Sequence, residues 1–333
     1  MDIIAYENES VNIVQADSQL SRGILEIGKK WVEHKRQIPL MADKLSAIGQ
    51  HARAARMRMC SDTIRYDYCP DCGKYHVERA NLCRDRFCPV CSRRLALKRF
   101  AIMIQIVDEL RKTFPDARWS FVTLTVKNCN PEYLTETIND MAKSWDKLAR
   151  RKKFRETVAG WARSLEVTYN RRTRELHPHF HILVMWKEGR APERGYISGT
   201  WLDLVKTFAS PLAQNEQDIG SYNETPADDP EAVMGAVLET YKYSVKSADL
   251  KQMPLSDFQK LDAYIKGRRL VAFGGAIREK AAQLKAEAQM EVAGDDRDEE
   301  EIKACADCGS LALIHCVGKW LGDGYLWRVA DRF

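Results

Sequence analysis

Apolar positions recur at helical spacing in two stretches. Ile102, Ile106 and Leu110 share one face, and Leu134, Ile138, Met141, Trp145 and Leu148 share another, which predicts two amphipathic helices. Pro115 ends the first, and the second follows Pro131. Between them Phe121-Val122-Thr123-Leu124-Thr125-Val126 alternates and is rich in β-branched residues, the pattern of a strand. Two more strands are predicted at Trp161–Asn170 and His179–Trp186, joined as an antiparallel hairpin by the polar run Arg171-Arg172-Thr173-Arg174-Glu175. Helices follow at Trp201–Phe208 and Glu231–Ala248, separated by a polar loop that runs to Pro230. Strand, helix, strand, strand, helix is the order of an α+β domain whose helices cover one face of an antiparallel sheet. Four segments result: an N-terminal helical arm at 1–59, a cysteine-rich segment at 60–100, the α+β domain at 101–275, and a charged linker with a Cys-containing tail at 276–333.

Composition narrows the class. With 45% hydrophobic and 30% charged residues in 333, a disordered or fibrous chain is excluded. The longest apolar runs, Ser120–Val126 and Phe180–Trp186, fall far short of the roughly 20 residues of a membrane span. The stretch Met1 to Glu7 has no basic region followed by an apolar core and cleavage site, so a cytoplasmic location is expected. A net charge of +5 identifies no partner by itself. Local cationic runs at His51–Met59, Arg93–Arg99 and Arg150–Lys153 suit a phosphate backbone, although the last also reads as a solvated face.

Five of the ten cysteines fall between Cys69 and Cys91, which favours metal ligation over a disulfide framework. Cys69-Pro-Asp-Cys72-Gly73 and Cys88-Pro-Val-Cys91 form two CxxC pairs that read as a zinc ribbon or knuckle, with Cys83 as a substitute ligand, a buried thiol or part of a second site with His76 or the tail. Cys305, Cys308, His315 and Cys316 compose a possible second zinc site, equally readable as free thiols. Cys60 and Cys129 lack such spacing and read as packed.

The sharpest signal is His177-Pro178-His179-Phe180-His181, because residues two apart in a strand share a face and place His179 and His181 side by side as a metal clamp. His177 has the same parity, as a ligand, an outer partner or a phosphate contact. Glu166 alternates away from Leu165 and Val167; a hairpin centred on Thr173-Arg174 sets it opposite His181 as an oxygen ligand, against the reading of an exposed strand carboxylate. In the helix from Met234 to Lys246, Met234, Val237, Leu238, Tyr241 and Val245 form an apolar stripe. Tyr243 lies on the opposite side among Glu239, Lys242 and Lys246, where it reads either as a nucleophile beside a carboxylate and an ammonium or as an exposed tyrosine amid helix ion pairs.

From Cys69 to Lys246 these motifs resemble, in order, those of the rolling-circle replication initiators of small plasmids, members of the HUH endonuclease superfamily. The matching stretches are the cysteine segment CRDRFCPVC, the strand FVTLTV, the histidine motif HPHFHIL and the run Glu239-Thr-Tyr-Lys-Tyr243-Ser-Val-Lys246. The resemblance implies a ferredoxin- or RRM-like antiparallel sheet flanked by helices, with the histidines on a central strand. It also implies origin-specific nicking and joining of single-stranded or hairpin DNA. Tyr243 would be the nucleophile, giving a 5′-phosphotyrosyl intermediate and a free 3′-hydroxyl. Lys246 would orient phosphate or lower the tyrosine pKa, and Glu239 would activate water or a second strand at termination. His179, His181, Glu166 and His177 are then candidate ligands of Mg²⁺ or Mn²⁺, with structural Zn²⁺ on the cysteines and a host helicase and polymerase as partners. A transposase or relaxase of the same superfamily would share this site. A non-enzymatic zinc-ribbon DNA-binding protein would have no use for Tyr243, and the helical HExxH spacing of a zinc hydrolase is absent.

Overall fold

Two antiparallel five-stranded sheets organise the chain. The computed structural model describes residues 3–4, 29, 31–190, 195–206, 222–227, 229–241, 245, 247–284 and 304–330. Its elements, in chain order, are β1 (Ile3–Ile4), α1 (Ile38–Ala47), α2 (His51–Arg58), β2 (Thr63–Tyr68), β3 (Tyr75–Ala80), α3 (Pro89–Thr113), β4 (Trp119–Thr125), α4 (Leu134–Arg150), α5 (Lys152–Thr157), β5 (Val158–Asn170), β6 (Glu175–Trp186), α6 (Tyr196–Lys206), β7 (Tyr222–Pro226), α7 (Pro230–Thr240), α8 (Ser247–Gln252), α9 (Leu255–Ile265), β8 (Val271–Gly274), α10 (Gly275–Gln283), β9 (Ile314–Trp320) and β10 (Tyr325–Ala330). They belong to two compact units, residues 1–94 with 293–333, and residues 95–292. Cys305, Cys308 and Cys316 of the tail lie in the unit that contains the N-terminal residues. No helix among the described residues is long and apolar enough to cross a membrane.

In the larger unit the sheet runs β7-β4-β6-β5-β8. Helices cover both of its faces, where the sequence pattern led us to expect one. Leu183 and Met185 of β6, with Ala162 of β5, pack against Met103, Ile106 and Leu110 of α3, Val233 and Val237 of α7 and Ile277 of α10. On the opposite face Phe180 meets Trp201 of α6, and Trp145 of α4 meets Trp161 edge-on with ring centroids 5.0 Å apart. The reason lies in β6 itself, which is buried at every position from Pro178 to Trp186. A strand apolar on both sides has to be covered on both sides.

The β5–β6 hairpin pairs Asn170 with Glu175 and Glu166 with His179. The expected register, with Glu166 opposite His181, is therefore two residues out. The loop contains no glycine, and Arg174 takes the left-handed conformation at φ 58°. Its guanidinium is held by a bidentate ion pair to the buried Asp257, with Nη2 3.1 Å from Oδ1, while Asn170 Oδ1 accepts from the amides of Arg172 and Thr173. A shift of two keeps every side chain on its face, so Glu166 still lies on the histidine side.

The smaller unit is built on the sheet β1-β10-β9-β2-β3. Trp327, fully buried, packs against Tyr66 and Tyr325. Gly318 opposes it, because a Cβ there would lie 2.5 Å from the indole.

Candidate metal centre and active site

β6 is the middle strand of its sheet, and it carries His179 and His181 on the face shared by Glu166 of β5. All three side chains are buried. Glu166 Oε2 lies 3.1 Å from His179 Nε2 and 2.8 Å from His181 Nε2. Two cis ligands of an octahedral ion at about 2.1 Å are separated by about 3.0 Å, so the carboxylate oxygen sits at that spacing from each imidazole, and the three ligand atoms lie within 4.8 Å of one another. Burial alone raises the Glu166 carboxyl, but hydrogen bonds from both histidines and their charges outweigh it and hold the group well below the usual carboxylate range.

The outer nitrogens of the rings are fixed. His179 Nδ1 lies 3.1 Å from the carbonyl oxygen of His177, which can only accept, so Nδ1 keeps its proton, and it is Nε2 that would give up the proton it shares with Glu166 to turn its lone pair to a metal. His181 Nδ1 lies 3.2 Å from Thr123 Oγ1, its cross-strand neighbour on β4, and its ring stacks on Phe121 at 5.5 Å. His177 stands outside the three-residue cluster; its ring lies against that of His179 with centroids 5.4 Å apart, its carbonyl accepts from His179 Nδ1, and burial lowers its imidazole pKa. Thr123 carried no signal in the sequence beyond its alternation within a strand.

The helix expected over Glu231–Ala248 is two helices. α7 stops at Thr240, with Tyr241 as its C-cap, and α8 starts at Ser247. Ser164 Oγ donates to the Thr240 carbonyl, satisfying one of the acceptors left open at a helix end. The run after it, rich in aromatic and β-branched residues, is a weak helix former. Ser164 pairs with His181 across the hairpin, so the chain leaves α7 beside the histidine cluster. Glu239, on the last turn, is half-buried. Tyr243, Lys242 and Lys246 lie outside the described residues. Tyr241 is buried, donates to Met103 Sδ at 3.5 Å, and has its phenol pKa raised by burial. Of the apolar stripe expected from the sequence, Val237, Tyr241 and Val245 are buried, whereas Met234 and Leu238 are exposed and Val233 and Ala236 take their place on the buried face.

The cysteines sort differently from the expected ribbon. Cys83, Cys88 and Cys91 gather with Cys60, whereas Cys69 and Cys72 gather with Cys305 and Cys308. In the first group Cys60 Sγ lies 3.5 Å from Cys91 Sγ and 3.6 Å from Cys88 Sγ, and Cys83 Sγ is 3.7 Å from Cys91 Sγ. With a zinc–sulfur bond of about 2.3 Å, the edge of a tetrahedral site is about 3.8 Å, and these sulfurs fit it. Hydrogen bonds from Cys83, Cys88 and Cys91 lower the Cys60 thiol, while burial and the same crowding raise Cys88. Cys60 reads as packed in the sequence because its partners lie more than twenty residues away, and the surplus Cys83 is the sign there that the CxxC pairs are incomplete. Among the tail candidates His315 instead bonds Asp67, Nδ1 to Oδ1 at 2.6 Å, and Cys316 is buried outside both groups.

An antiparallel sheet flanked by helices, with two imidazoles on its central strand and a carboxylate on the next, defines a mixed α+β protein, consistent with an HUH-type fold. A family model described as "Replication protein" matches residues 74–312. The chain is 30% identical over 283 residues to "Protein rep" of Streptococcus pneumoniae serotype 2 (strain D39 / NCTC 7466), covering 81% of this chain and 86% of that protein. It is also 30% identical over 277 residues to "Protein rep" of Bacillus amyloliquefaciens, covering 76% and 81%. No solved structure gives a significant match. The chain belongs to the replication protein family, that of the plasmid replication initiators.

Proposed function

We propose that this initiator nicks and rejoins one DNA strand at a plasmid origin. The observation that carries the reading is the convergence of His179, His181 and Glu166 beside the end of α7, in a chain of the replication protein family. His179, His181 and Glu166 hold Mg²⁺ or Mn²⁺, with imidazole donors favouring Mn²⁺. Such an ion, when bound, polarises the scissile phosphate and neutralises charge in the transition state.

Tyr243 attacks phosphorus through its phenolic oxygen. The bond to the 3′-oxygen breaks, that oxygen takes up a proton to become the free 3′-hydroxyl, and the 5′ end remains as a phosphotyrosyl ester. Lys246 orients the phosphate and favours the ionised phenol, and Glu239 takes the proton from water or from a second strand's hydroxyl at termination. The burial of Tyr241 supports Tyr243 as the nucleophile of the pair. Cys60, Cys83, Cys88 and Cys91 bind a structural zinc ion. Lys152, Arg155, Lys187 and Arg190, which line one concavity with Glu156, suit the DNA backbone. A host helicase and polymerase act on the nicked origin in the cytoplasm.

The test is cleavage of a labelled origin strand in Mn²⁺. Tyr243→Phe removes covalent attachment and keeps DNA binding; His179→Ala with His181→Ala removes metal-dependent nicking and keeps zinc content. Zinc lost in parallel from the histidine variant would contradict the assignment of separate metal sites.

A further inference from the structure

Two stretches 236 positions apart share one pattern, Cys69-Pro70-Asp71-Cys72-Gly73 and Cys305-Ala306-Asp307-Cys308-Gly309. They also share one backbone conformation. In each, the glycine amide donates to the carbonyl of the first cysteine at 2.8 Å, Gly73 to Cys69 and Gly309 to Cys305. The amide of the first cysteine donates to the carbonyl five residues on, Cys69 to Lys74 at 2.9 Å and Cys305 to Ser310 at 2.7 Å. The glycines sit in the left-handed region at φ 70° and 73°, where a side chain is disfavoured. Such a turn aims its amides and both thiols toward one point.

The two turns face each other with two-fold character. The first cysteine of one meets the second of the other, Cys69 Sγ to Cys308 Sγ at 3.5 Å and Cys72 Sγ to Cys305 Sγ at 3.6 Å. These distances are far too long for a disulfide, at about 2.05 Å, and close to the tetrahedral edge of about 3.8 Å. The surroundings suit a doubly anionic four-thiolate site. His76 Nε2 lies 3.5 Å from Cys305 Sγ and 3.2 Å from Asp307 Oδ2, and Lys74 Nζ lies 3.1 Å from Asp307 Oδ1. Ser310 of one turn donates to Asp71 of the other. The sheet delivers both turns to one end, because Tyr68, the last residue of β2, pairs with Tyr75 of β3 and with Ile314 of β9.

We propose that Cys69, Cys72, Cys305 and Cys308 bind a second zinc ion, separate from that of Cys60, Cys83, Cys88 and Cys91, which clasps the C-terminal β9–β10 hairpin onto the N-terminal unit. The ion joins residues 239 apart, and closing so long a loop confines the unfolded chain strongly. The site depends on neither Tyr243 nor the ion of Glu166.

The experiment is zinc stoichiometry of the full-length protein by native mass spectrometry and elemental analysis. Wild type is expected to hold two zinc ions per chain. Cys305→Ser with Cys308→Ser is expected to hold one and to lose its C-terminal segment to limited proteolysis, whereas Cys88→Ser with Cys91→Ser keeps the clasp ion. Should either variant fail to fold, the cobalt-exchanged wild type decides: thiolate-to-cobalt absorption per chain should be twice that of a single four-cysteine site. One zinc per chain in wild type, iron in its place, or a disulfide among these four cysteines would overturn the proposal. Loss of nicking with both zinc ions retained would count against the catalytic reading alone.

Discussion

Thr123→Val removes an outer hydrogen bond that a side chain makes to the metal cluster. For His181 to present an Nε2 lone pair to a cation, its proton sits on Nδ1 and is donated to Thr123 Oγ1, 3.2 Å away. Valine keeps the shape and the strand preference of threonine but accepts nothing, leaving a buried N–H unpaired and the ring free to turn. Outer partners of this kind are worth about 10- to 100-fold in metal affinity, or about 1.4–2.7 kcal/mol. The equivalent contact of His179 goes to the His177 carbonyl and survives any side-chain change, so one oriented imidazole remains and the loss is partial. In a Mn²⁺ titration of origin-strand cleavage, the half-saturating concentration should rise by about 10- to 100-fold, with the rate at saturation near wild type and the wild-type midpoint kept by Thr123→Ser. An unchanged midpoint in the valine variant, or an equal shift in the serine variant, would refute the assignment of His181 Nε2 as a ligand held by Thr123.

Glu239→Ala should permit the first nick and slow release, seen as persistent covalent protein–DNA complex; normal turnover would remove Glu239 from termination. Trp145 is fully buried against Phe154 and Trp161, and Trp145→Ala should cost about 3–5 kcal/mol in urea unfolding; a loss below about 1 kcal/mol would mean that this face of the sheet is not the core described. Replacing Lys152, Arg155, Lys187 and Arg190 by glutamine should weaken origin binding and flatten its salt dependence by about 0.9 per lost phosphate contact; an unchanged slope would place the DNA elsewhere.

The histidine strand was legible because parity is a local property: HPHFHILVMW fixes which side chains share a face whatever lies around it. Register was not, because the Arg171–Arg174 loop is shaped by a tertiary ion pair from Arg174 to Asp257 and not by a glycine. The error of two residues left the faces intact, so Glu166 reached the right cluster by the wrong pairing. The break after Thr240 was hidden for a similar reason, since the capping hydroxyl of Ser164 comes from 76 residues away. Helical spacing continued past the break and placed Met234 and Leu238 in a core that they do not enter. The cysteines failed most instructively. Proximity in sequence joined Cys69 and Cys72 to Cys88 and Cys91, although the identical CxDCG turn at Cys305 already named the true partner. Pattern matching between distant segments carried that information; spacing within a segment did not.

The central claim is that Tyr243 becomes covalently joined to DNA at a site served by His179, His181 and Glu166. The most direct measurement is peptide mapping by mass spectrometry of the protein after reaction with a labelled origin strand in Mn²⁺. The account predicts a 5′-phosphoryl adduct on the peptide containing Tyr243, localised by fragmentation to that residue and absent from the His179→Ala, His181→Ala protein. An adduct on Tyr241, or cleavage of origin DNA with no adduct on any tyrosine, would contradict it.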